Sequence, residues 1–538
     1  MKLSLKSLKS KSSKWQSANV ELPNFDIETV HTATKTNPTW VHFGAGNIFR
    51  GFIAKLQHNL LASGKANTGI IAVDTFDYDI IDKIYTDYDN LTILVLMKPD
   101  GTLKKSIVAS VSEALKADSD NNLSMDRLKE IFCNPKLQMV SFTITEKGYA
   151  LTDINGDFFP MIKEDILNGP KAAKHAMSIV ASLVYERYLS NKAPIALVSM
   201  DNCSHNGDKL KASVLTISKE WQKKGFVDEG FITYLEDENK VSFPWSMIDK
   251  ITPRPSEVVQ KHLEDLGIED MTPIITSKNT FIAPFVNAEE TEYLVIEDTF
   301  PNGRPPLELS GVYFTDRETV NNTERMKVTT CLNPLHTALA VYGCLLGYTS
   351  IASEMKDPQL KKLVEKIGYD EGMPVVVDPK ILNPLNFIKE VIDHRLPNPF
   401  IPDAPQRIAT DTSQKIAIRF GETIKSYMAR EDLDSANLTY IPLALAGWCR
   451  YLLAIDDEGN KMELSSDPML PQLTSALSTI EFGNLSSYNE QLKPILSNPM
   501  IFGIDLYKAG LGEKVENIFL ELMNGKGAVR KTLVKYLG

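Results

Sequence analysis

Cysteine is scarce in this chain and follows no pattern. The 538 residues include five cysteines, and no two of them are spaced as Cys-x-x-Cys. Disulfide frameworks and zinc ribbons both need paired cysteines, so the scarcity argues against a disulfide-stapled secreted domain and against a structural zinc site. Reduced thiols in a cytoplasmic protein are the expectation for Cys133, Cys203, Cys331, Cys344 and Cys449.

Positive charge is also in deficit. The chain has 58 lysines and arginines against 69 acidic residues, a formal net charge of -11. Clustered basic side chains drive nucleic-acid binding, so we expect no nucleic-acid partner. The one basic run is the N-terminal MKLSLKSLKSKSSKW, which contains no acidic residue. It lacks the apolar core of a secretory signal and predicts a solvated, loosely ordered leader.

No apolar run approaches the length that crosses a bilayer, which is about 20 residues. The longest candidate, YIPLALAGWCRYLLAI at residues 440–455, is interrupted by Arg450. With 43% apolar and 24% charged residues, the composition is typical of a globular protein. We therefore expect no membrane segment.

The pattern of apolar residues changes along the chain. Up to about residue 285, short apolar runs alternate with helical stretches: PTWVHFGAG, TGIIAVDTF, LTILVLM, LQMVSFTIT and APIALVSMDN. This alternation indicates βαβ units and a parallel sheet. Later in the chain, helices are predicted at 334–352, 355–367, 413–429 and 439–455. Single cores stop growing near roughly 250–300 residues, so we predict an α/β, Rossmann-type domain at 1–290 and a mostly α-helical domain at 291–538.

A glycine-rich turn is the first chemical signal. In WVHFGAGNIFRGF, a predicted strand ends at Phe43 and is followed by Gly44-Ala45-Gly46, Asn47 and a helix. Glycines at such a turn let the pyrophosphate of a dinucleotide approach the backbone and the helix N-terminus. Phe49 stands where a third glycine is common, and a simple bend is the alternative interpretation.

An acid follows this turn near the distance expected for a ribose contact. Asp74 ends the strand GIIAVD, 28 residues after Gly46. A carboxylate there accepts the adenosine ribose hydroxyls and repels a 2′-phosphate, so NAD is predicted over NADP. Arg50, in the first turn of the helix, is a candidate for phosphate or substrate, with a surface ion pair as the alternative.

A second polar cluster precedes an apolar helix. The segment RMKVTTCLNPLHTALAVYGCLLGY sets Lys327, Asn333 and His336 before a buried-helix pattern. Asn333 and Pro334 predict a helix start, with asparagine as the N-cap and proline at the first helical position. His336 would lie in the same first turn, where a helix favours negative charge. The alternatives are a cap, a histidine that satisfies a buried neighbour, and a surface pair of Lys327 with Glu324.

Six motifs, in the same order, resemble those of the polyol-specific long-chain dehydrogenases, the mannitol dehydrogenase family. FGAGNIFR is similar to the family's glycine turn and arginine, and KVTTCLNPLH to its Lys followed by Leu-Asn-x-x-His. SFTITEKGY, SMDNCSHNG, MIDKITPRP and RLPNPF are similar to four further signatures. The matches extend from about residue 41 to about residue 400.

The resemblance implies an NAD-dependent, metal-independent oxidoreductase that interconverts an alcohol and a ketone of a sugar alcohol or sugar acid. It makes Lys327 the general base and links Glu324 to proton passage. Asn333, His336 and Asn202 would hold the reacting oxygen.

The resemblance also implies contacts with substrate and cofactor. Arg395 and Asp249 fall on substrate-side positions of RLPNPF and MIDKITPRP. The implied cofactor contacts are Gly44, Ala45, Gly46, Asn47, Arg50, Asp74, Thr145 and Glu146.

This chemistry needs residues of these types. Hydride leaves carbon readily only as the hydroxyl proton departs, so a base is required whose pKa is moved toward neutrality. Burial or neighbouring positive charge has this effect on lysines. Amide and imidazole donors stabilise the developing oxyanion, by about 3 kcal/mol each in comparable sites. The eight histidines are scattered without His-Glu-x-x-His spacing, so no metal site is predicted.

Two features depart from the family pattern. Five residues separate Lys327 from Asn333 where four are expected, so either a bulge absorbs the extra residue or Lys327 is displaced. Phe49 replaces a histidine that is common before the arginine.

The choice of substrate depends on a cation. A uronate carboxylate needs an arginine or lysine partner, for which the candidates are Arg395, Arg407, Lys415 and Arg50. HFGAGNIFRGF and LNPLH look most like family members that act on D-fructuronate and D-mannonate, so this pair is predicted. D-mannitol with D-fructose is the runner-up, and tagaturonate is a further alternative.

A non-catalytic nucleotide-binding sensor on the same fold is the alternative from another class. The full set of Lys327, Asn333, His336 and Asn202 favours an enzyme, because function is argued from sites and not from folds. No heptad pattern is present, so a monomer or weak dimer is expected.

Overall fold

The computed structural model describes residues 1–153 and 155–538. Two compact units are present, Met1–Asn321 and Asn322–Gly538. The division falls later in the chain than the boundary predicted after residue 290. The reason is a sheet of the first unit in which Ser246–Asp249 pairs with Tyr293–Glu297, and Tyr293–Glu297 pairs with Tyr313–Thr315.

The strands of the described residues lie in the first unit. In chain order they are β1 (Val20–Glu21), β2 (Trp40–Phe43), β3 (Ile70–Asp74), β4 (Thr92–Met97), β5 (Leu103–Val108), β6 (Val111–Lys116), β7 (Met139–Phe142), β8 (Ile195–Ser199), β9 (Val241–Ser242), β10 (Ser246–Asp249), β11 (Ile274–Ile275), β12 (Phe281–Ile282), β13 (Phe285–Glu289), β14 (Tyr293–Glu297) and β15 (Tyr313–Thr315). They form sheets in the orders β6-β3-β2-β7-β8-β9, β1-β5-β4-β13, β10-β14-β15 and β11-β12.

The six-stranded sheet has Rossmann topology, which confirms the predicted fold class. Its neighbouring strands are all parallel, and their chain order reads 3-2-1-4-5-6 across the sheet, as in dinucleotide-binding folds. Along β2, Val41 and Phe43 join one buried cluster and Trp40 joins another, so both faces of the sheet are covered. Burial on both faces explains the near-continuous apolar runs of these strands.

Helices make up the rest of the regular structure. The first unit contains α1 (Leu5–Ser10), α2 (Ser12–Ser17), α3 (Ile27–Thr36), α4 (Ala54–Ala62), α5 (Tyr78–Ile80), α6 (Asn122–Cys133), α7 (Pro160–Asn168), α8 (Ala176–Ser190), α9 (Asn206–Lys223), α10 (Glu229–Glu236) and α11 (Glu257–Asp265), and the division between units falls within α12 (Arg317–Met326). The second unit contains α13 (Asn333–Leu345), α14 (Ile351–Glu354), α15 (Pro358–Glu365), α16 (Pro384–Glu390), α17 (Pro405–Ile408), α18 (Glu422–Met428), α19 (Tyr440–Tyr451), α20 (Leu470–Leu477), α21 (Lys493–Leu496), α22 (Pro499–Phe502), α23 (Gly512–Leu522) and α24 (Ala528–Leu537).

Shorter helical turns of other types connect these helices. The π-helical turns are Phe49–Ile53, Ile81–Tyr85, Lys327–Cys331, Lys366–Gly372, Val391–Arg395 and Ala417–Gly421. The 3-10 turns are Thr86–Tyr88, Glu146–Tyr149, Pro170–Ala172, Leu307–Ser310, Met373–Val375, Thr412–Gln414, Ser435–Asn437 and Leu485–Ser487.

The N-terminal segment is folded, so the prediction of a loosely ordered leader is wrong. It forms α1 and α2, and Leu3 and Trp15 are fully buried. Nε1 of Trp15 donates to Oγ of Ser7 at 3.1 Å, and the terminal ammonium pairs with Glu269 at 2.7 Å. A few apolar side chains anchor the segment while its lysines remain exposed, and the basic composition obscured that anchoring.

Candidate functional site

The carboxyl ends of four parallel strands bring the predicted nucleotide residues and Asn202, predicted at the reacting oxygen, to one edge of the sheet. Gly44–Gly46 follows β2, and Asp74 ends β3. Thr145 and Glu146 come after β7, and Asn202 comes after β8. Ligands of open α/β sheets bind at this edge. The fold therefore groups residues that are far apart in the sequence.

The glycine turn fits a pyrophosphate. Gly44 has φ +99°, and a Cβ there would overlap the carbonyl oxygen of Thr143, whereas a Cβ on Gly46 would meet nothing within 4 Å. A helix begins at Asn47, so its first N–H groups lack helical acceptors. Oδ1 of Asn47 is buried without a hydrogen-bond partner among the described residues. Open space and unpaired N–H groups at a helix start suit an anionic ligand.

Asp74 is held against the glycine turn. It is 7% exposed, and its Oδ2 accepts from Ala45 N at 3.2 Å. Its Oδ1 accepts from the backbone N of Phe76 at 2.8 Å and of Asp77 at 2.7 Å. Burial raises the pKa of Asp74, while these N–H groups favour its charged form. These bonds fix the carboxyl group beside the glycine turn, and its contact with the ribose stays a prediction.

Arg50 lies in the interior of the first unit. It is 1% exposed, with Nη2 donating to Ala283 O at 2.7 Å and Nε donating to Thr92 Oγ1 at 3.2 Å. Burial lowers the pKa of Arg50 to about 10. The alternative of a surface ion pair is therefore wrong. Nη1 is buried without a partner among the described residues, so a contact with phosphate or substrate stays a prediction.

Phe49 takes over the packing role of the missing third glycine. Its ring stacks on His42 with 4.2 Å between the ring centroids. Nδ1 of His42 lies 2.6 Å from Ser141 Oγ, and Nε2 lies 2.8 Å from Thr143 Oγ1. Burial lowers the pKa of His42 to about 3, so the ring is neutral. The aromatic pair joins the helix to β2, where the usual glycine permits close helix–strand packing.

Asp201 organises the loop after β7, and the sequence analysis missed it. Its Oδ1 accepts from Thr145 N at 2.8 Å, and its Oδ2 accepts from Ile144 N at 3.0 Å and from the Tyr149 hydroxyl at 2.6 Å. Thr145 has φ +65°, a strained value for a β-branched residue that its surroundings must hold. The motif SMDNCSHNG includes Asp201, but partners from another loop leave no local signal in the sequence.

The other predicted residues of the first unit lie at or near strand ends. Glu146 forms an ion pair with Lys209. Asn202 is exposed in the bend after β8. Asp249 is 6% exposed and ends β10, in register with Tyr293. The roles that the resemblance gives these residues stay predictions.

A π-helical turn absorbs the extra residue between Lys327 and Asn333. The turn spans Lys327–Cys331, and Leu332 N donates to Lys327 O at 3.0 Å. Such an i→i+5 bond takes in one residue more than an α-helical turn, so the bulge that the spacing demanded is present. Lys327 is 2% exposed, so it does not lie at the surface.

Asn333 is the first residue of α13 and not the N-cap that the sequence predicts. Leu332 occupies the cap position with φ -132° and no side-chain cap bond, because Leu332 O accepts the first helical bond from His336 N at 3.0 Å. The carbonyl of Asn333 accepts from Thr337 Oγ1 at 2.8 Å. Asn333 thus lies within the first turn of α13 and does not cap it.

His336 is largely withdrawn from water, and one of its ring nitrogens has no hydrogen-bond partner among the described residues. Its Nε2 lies 3.4 Å from Asp403 Oδ2, but the orientation completes no hydrogen bond, and this nitrogen has no partner among the described residues. Burial lowers the pKa of His336 to about 4, against the opposing charge of Asp403. Three guanidinium groups lower it further, those of Arg419, Arg407 and Arg395. The imidazole is therefore neutral near neutral pH, and it does not merely satisfy a buried neighbour.

The second unit also contains the other basic side chains that the sequence analysis considered for a substrate carboxylate, and one that it did not. Arg395 is 5% exposed, and Arg407 forms an ion pair with Asp403. Lys415 Nζ donates to Thr410 O at 2.6 Å. Arg419 is the basic residue that the sequence analysis missed. Its segment, KIAIRFGET, reads as an ordinary helix, and its relation to His336 arises only on folding.

Two features are absent from the described residues. No three histidine, cysteine or acidic side chains come together there as metal ligands do. No helix in that part of the chain combines the length and apolar character needed to cross a membrane.

Comparison with known proteins identifies the family. The family model described as mannitol dehydrogenase Rossmann domain matches residues 38–309, and the one described as mannitol dehydrogenase C-terminal domain matches residues 319–523. A D-mannonate oxidoreductase of Thermotoga maritima is 57% identical over 540 residues, covering 100% of this chain and 99% of that protein. A D-mannonate oxidoreductase of Escherichia coli is 28% identical, over 80% of this chain and 83% of that protein.

A solved structure supports the fold. Mannitol 2-dehydrogenase of Pseudomonas fluorescens, in a ternary complex with NAD and D-mannitol, is 24% identical with a TM-score of 0.71, over 99% of each chain. The two family matches together span both units and most of the sequence. The chain belongs to the mannitol dehydrogenase family.

Proposed function

We propose that the protein is an NAD-dependent oxidoreductase that interconverts D-fructuronate and D-mannonate, a hexuronate ketone and its aldonate. The observation that carries this proposal is the 57% identity, over the whole chain, with a D-mannonate oxidoreductase. The Rossmann sheet and the polar residues at the start of α13 provide the groups that this reaction needs.

The residues proposed to bind the nucleotide lie in the first unit. When bound, NAD supplies or accepts the hydride. Gly44–Gly46 and the first N–H groups of the following helix would hold its pyrophosphate, with Asn47 beside them and Thr145 and Glu146 at the same edge. Asp74 would accept the adenosine ribose hydroxyls, and its charge disfavours a 2′-phosphate.

The main residues proposed to move the proton and to hold the reacting oxygen lie in the second unit. In the oxidation direction, the amine of Lys327 takes the proton of the alcohol, and in the reduction direction it returns a proton to the oxygen. Asn333 and the neutral ring of His336 would donate hydrogen bonds to that oxygen as its negative charge develops. Nε2 of His336 has no partner among the described residues. No metal takes part in this scheme.

Four residues keep roles that rest on the resemblance to the family. Asn202 would add a second amide to the reacting oxygen, and Glu324 would pass the proton onward. Asp249 and Arg395 would contact the substrate.

Oxidation of D-mannonate tests the proposal. The purified protein is mixed with D-mannonate, NAD and EDTA, NADH absorbance is followed, and the product is identified by NMR. We expect NADH to form with D-fructuronate as the product. Oxidation of D-mannitol without oxidation of D-mannonate would instead favour the hexitol reaction. Tight binding of NADH without turnover of any hexonate, hexuronate or hexitol would favour a nucleotide sensor.

A further inference from the structure

We propose that Arg419 binds the carboxylate of the sugar-acid substrate and so selects acids over neutral ketoses and hexitols. This inference rests on the proposed function and assigns its specificity to one residue. Arg419 lies in the π-helical turn Ala417–Gly421 of the second unit.

One hydrogen bond anchors the guanidinium group to the first turns of α13. Nη1 of Arg419 donates to Thr337 Oγ1 at 2.6 Å, and the same hydroxyl donates to Asn333 O at 2.8 Å. Thr337 directly follows His336 in the chain. The charge of Arg419 lies close enough to His336 to lower the pKa of that imidazole. A carboxylate on Arg419 would therefore lie beside the groups proposed to hold the reacting oxygen.

Arg419 lacks a counter-charge within the described part of the chain. It is half-buried, and its one hydrogen bond there goes to a neutral hydroxyl. Burial alone lowers the pKa of Arg419, to about 10, with no acid opposing the shift. A charge withdrawn from water without a counter-ion is unfavourable, and buried charges are normally paired. An anionic ligand would supply the missing partner.

Arginines with a structural role in this chain look different. Arg187 is fully buried and donates to five backbone carbonyl oxygens. Arg450, also fully buried, donates to three. Their guanidinium groups are satisfied by the protein itself. Arg419 keeps two nitrogens for a ligand, which is the planar fork that matches a carboxylate.

The neighbouring cations are less suited to this role. Arg407 is already paired with Asp403, and its side chain is 64% exposed. Lys415 directs its ammonium to Thr410 O, and an ammonium is a point charge without the fork of a guanidinium.

The test compares acid and neutral substrates in the Arg419→Met variant. We expect kcat/KM for D-fructuronate to fall roughly 10- to 100-fold, mainly through KM, the scale of losing charge-assisted hydrogen bonds. Turnover of D-fructose and the affinity for NADH should be unchanged. Titration of D-mannonate into the NADH complex should show an equal loss of affinity. Arg419→Lys, which keeps the charge without the fork, should lie between wild type and Arg419→Met.

A matched control removes another arginine of the same unit. Arg430 is paired with Asp432 at the surface, and Arg430→Met should retain wild-type kinetics with both substrates. Equal losses for D-fructuronate, D-fructose and NADH in Arg419→Met would show a structural role and overturn the inference. Unchanged D-fructuronate kinetics and D-mannonate affinity would overturn it while leaving the proposed function intact. A wild type that acts on no sugar acid would overturn both.

Discussion

Polar side chains at and just before the start of α13 are largely withdrawn from water. Lys327 is 2% exposed, His336 Nε2 is a buried nitrogen without a partner among the described residues, and Leu332 holds the cap position predicted for Asn333. Unsatisfied buried polar groups are costly, so native proteins keep few of them. An unsatisfied buried imidazole nitrogen beside a π-helical turn, a feature frequent at functional sites, favours ligand binding there over a purely structural role.

Replacement of Lys327 tests the assignment of the base. We expect Lys327→Ala to lower turnover by roughly 10²- to 10⁴-fold, the scale of general acid–base assistance. NADH affinity should change little, because the glycine turn and Asp74 lie in the first unit. Small primary amines should restore part of the rate by carrying the proton. Near-normal turnover of Lys327→Ala would mean that another group, such as His336, moves the proton.

Replacement of Asp74 tests the choice of cofactor. Wild type should prefer NADH to NADPH, and Asp74→Ala should bind NADH more weakly while tolerating NADPH better, because the charge that repels a 2′-phosphate is gone. Kinetics with both cofactors give the ratio. Equal use of NADH and NADPH by the wild type would contradict the placement of Asp74 at the ribose.

At the scale of elements, the sequence revealed most of the Rossmann strands but not their assignment to sheets. LTILVLM has the apolar run of a buried strand, yet β4 pairs antiparallel with β5 in a separate sheet. The strand that completes the Rossmann order is β6, VSEALK, an edge strand with half-buried residues. Edge strands need fewer apolar residues, so the pattern of β6 is weak. Burial patterns report that a strand exists, whereas pairing depends on distant segments.

Turns also differ in whether nearby or distant residues determine them. Counting residues between Lys327 and Asn333 was enough to predict a bulge, because helical geometry is local. The cap lies at Leu332 and not at Asn333, because the carbonyl oxygen of Leu332 accepts the first helical bond from His336 N. The loop at Thr145 depends on Asp201, more than fifty residues away, and no local pattern encodes that contact.

Replacement of Asp201 tests whether it positions this loop. The amide of Asp201→Asn keeps one acceptor oxygen where the carboxylate has two, so at least one backbone N–H of the loop loses its partner. We expect unfolding free energy to fall by about 1–3 kcal/mol and NADH to bind more weakly, with kcat less affected. Asp126→Asn, at an exposed ion pair with Lys129, is the matched control. NADH affinity equal to wild type in Asp201→Asn would show that the loop does not position the cofactor.

At the scale of the whole molecule, the chain length and the change in apolar pattern predicted two domains. The basic composition of the N-terminal segment led to the wrong prediction of a loosely ordered leader. The basic segment forms α1 and α2, anchored by Trp15. The interrupted apolar run at residues 440–455 contributes the core helix α19, and Arg450 within it is satisfied by backbone carbonyl oxygens. Apolar content predicts burial well, but the partner of a buried charge becomes visible only in the fold.

Glu354 makes the stability of the protein depend on pH. It is fully buried, its carboxyl oxygens have no hydrogen-bond partner among the described residues, and burial raises its pKa to about 9. Between about pH 5 and about pH 9, the unfolded chain loses this proton while the folded chain keeps it. This residue therefore lowers the free energy of unfolding as pH rises, by about 1.4 kcal/mol for each pH unit.

Replacement of Glu354 isolates this contribution. Glu354→Gln cannot ionise, so its free energy of unfolding should fall less steeply than that of wild type across this pH range. Denaturant unfolding at a series of pH values measures the difference. Glu365→Gln, at a partly exposed glutamate of the same unit, should follow the wild-type curve. Parallel curves for wild type and Glu354→Gln would show that Glu354 is not held in its protonated form.

The most direct test of the proposed function is NADH oxidation measured side by side with D-fructuronate, D-tagaturonate and D-fructose. We expect the highest kcat/KM for D-fructuronate, with D-mannonate as the product, and a much lower value for D-fructose, which has no carboxylate for a guanidinium partner. A higher kcat/KM for D-fructose than for either uronate would contradict it and make the protein a hexitol dehydrogenase.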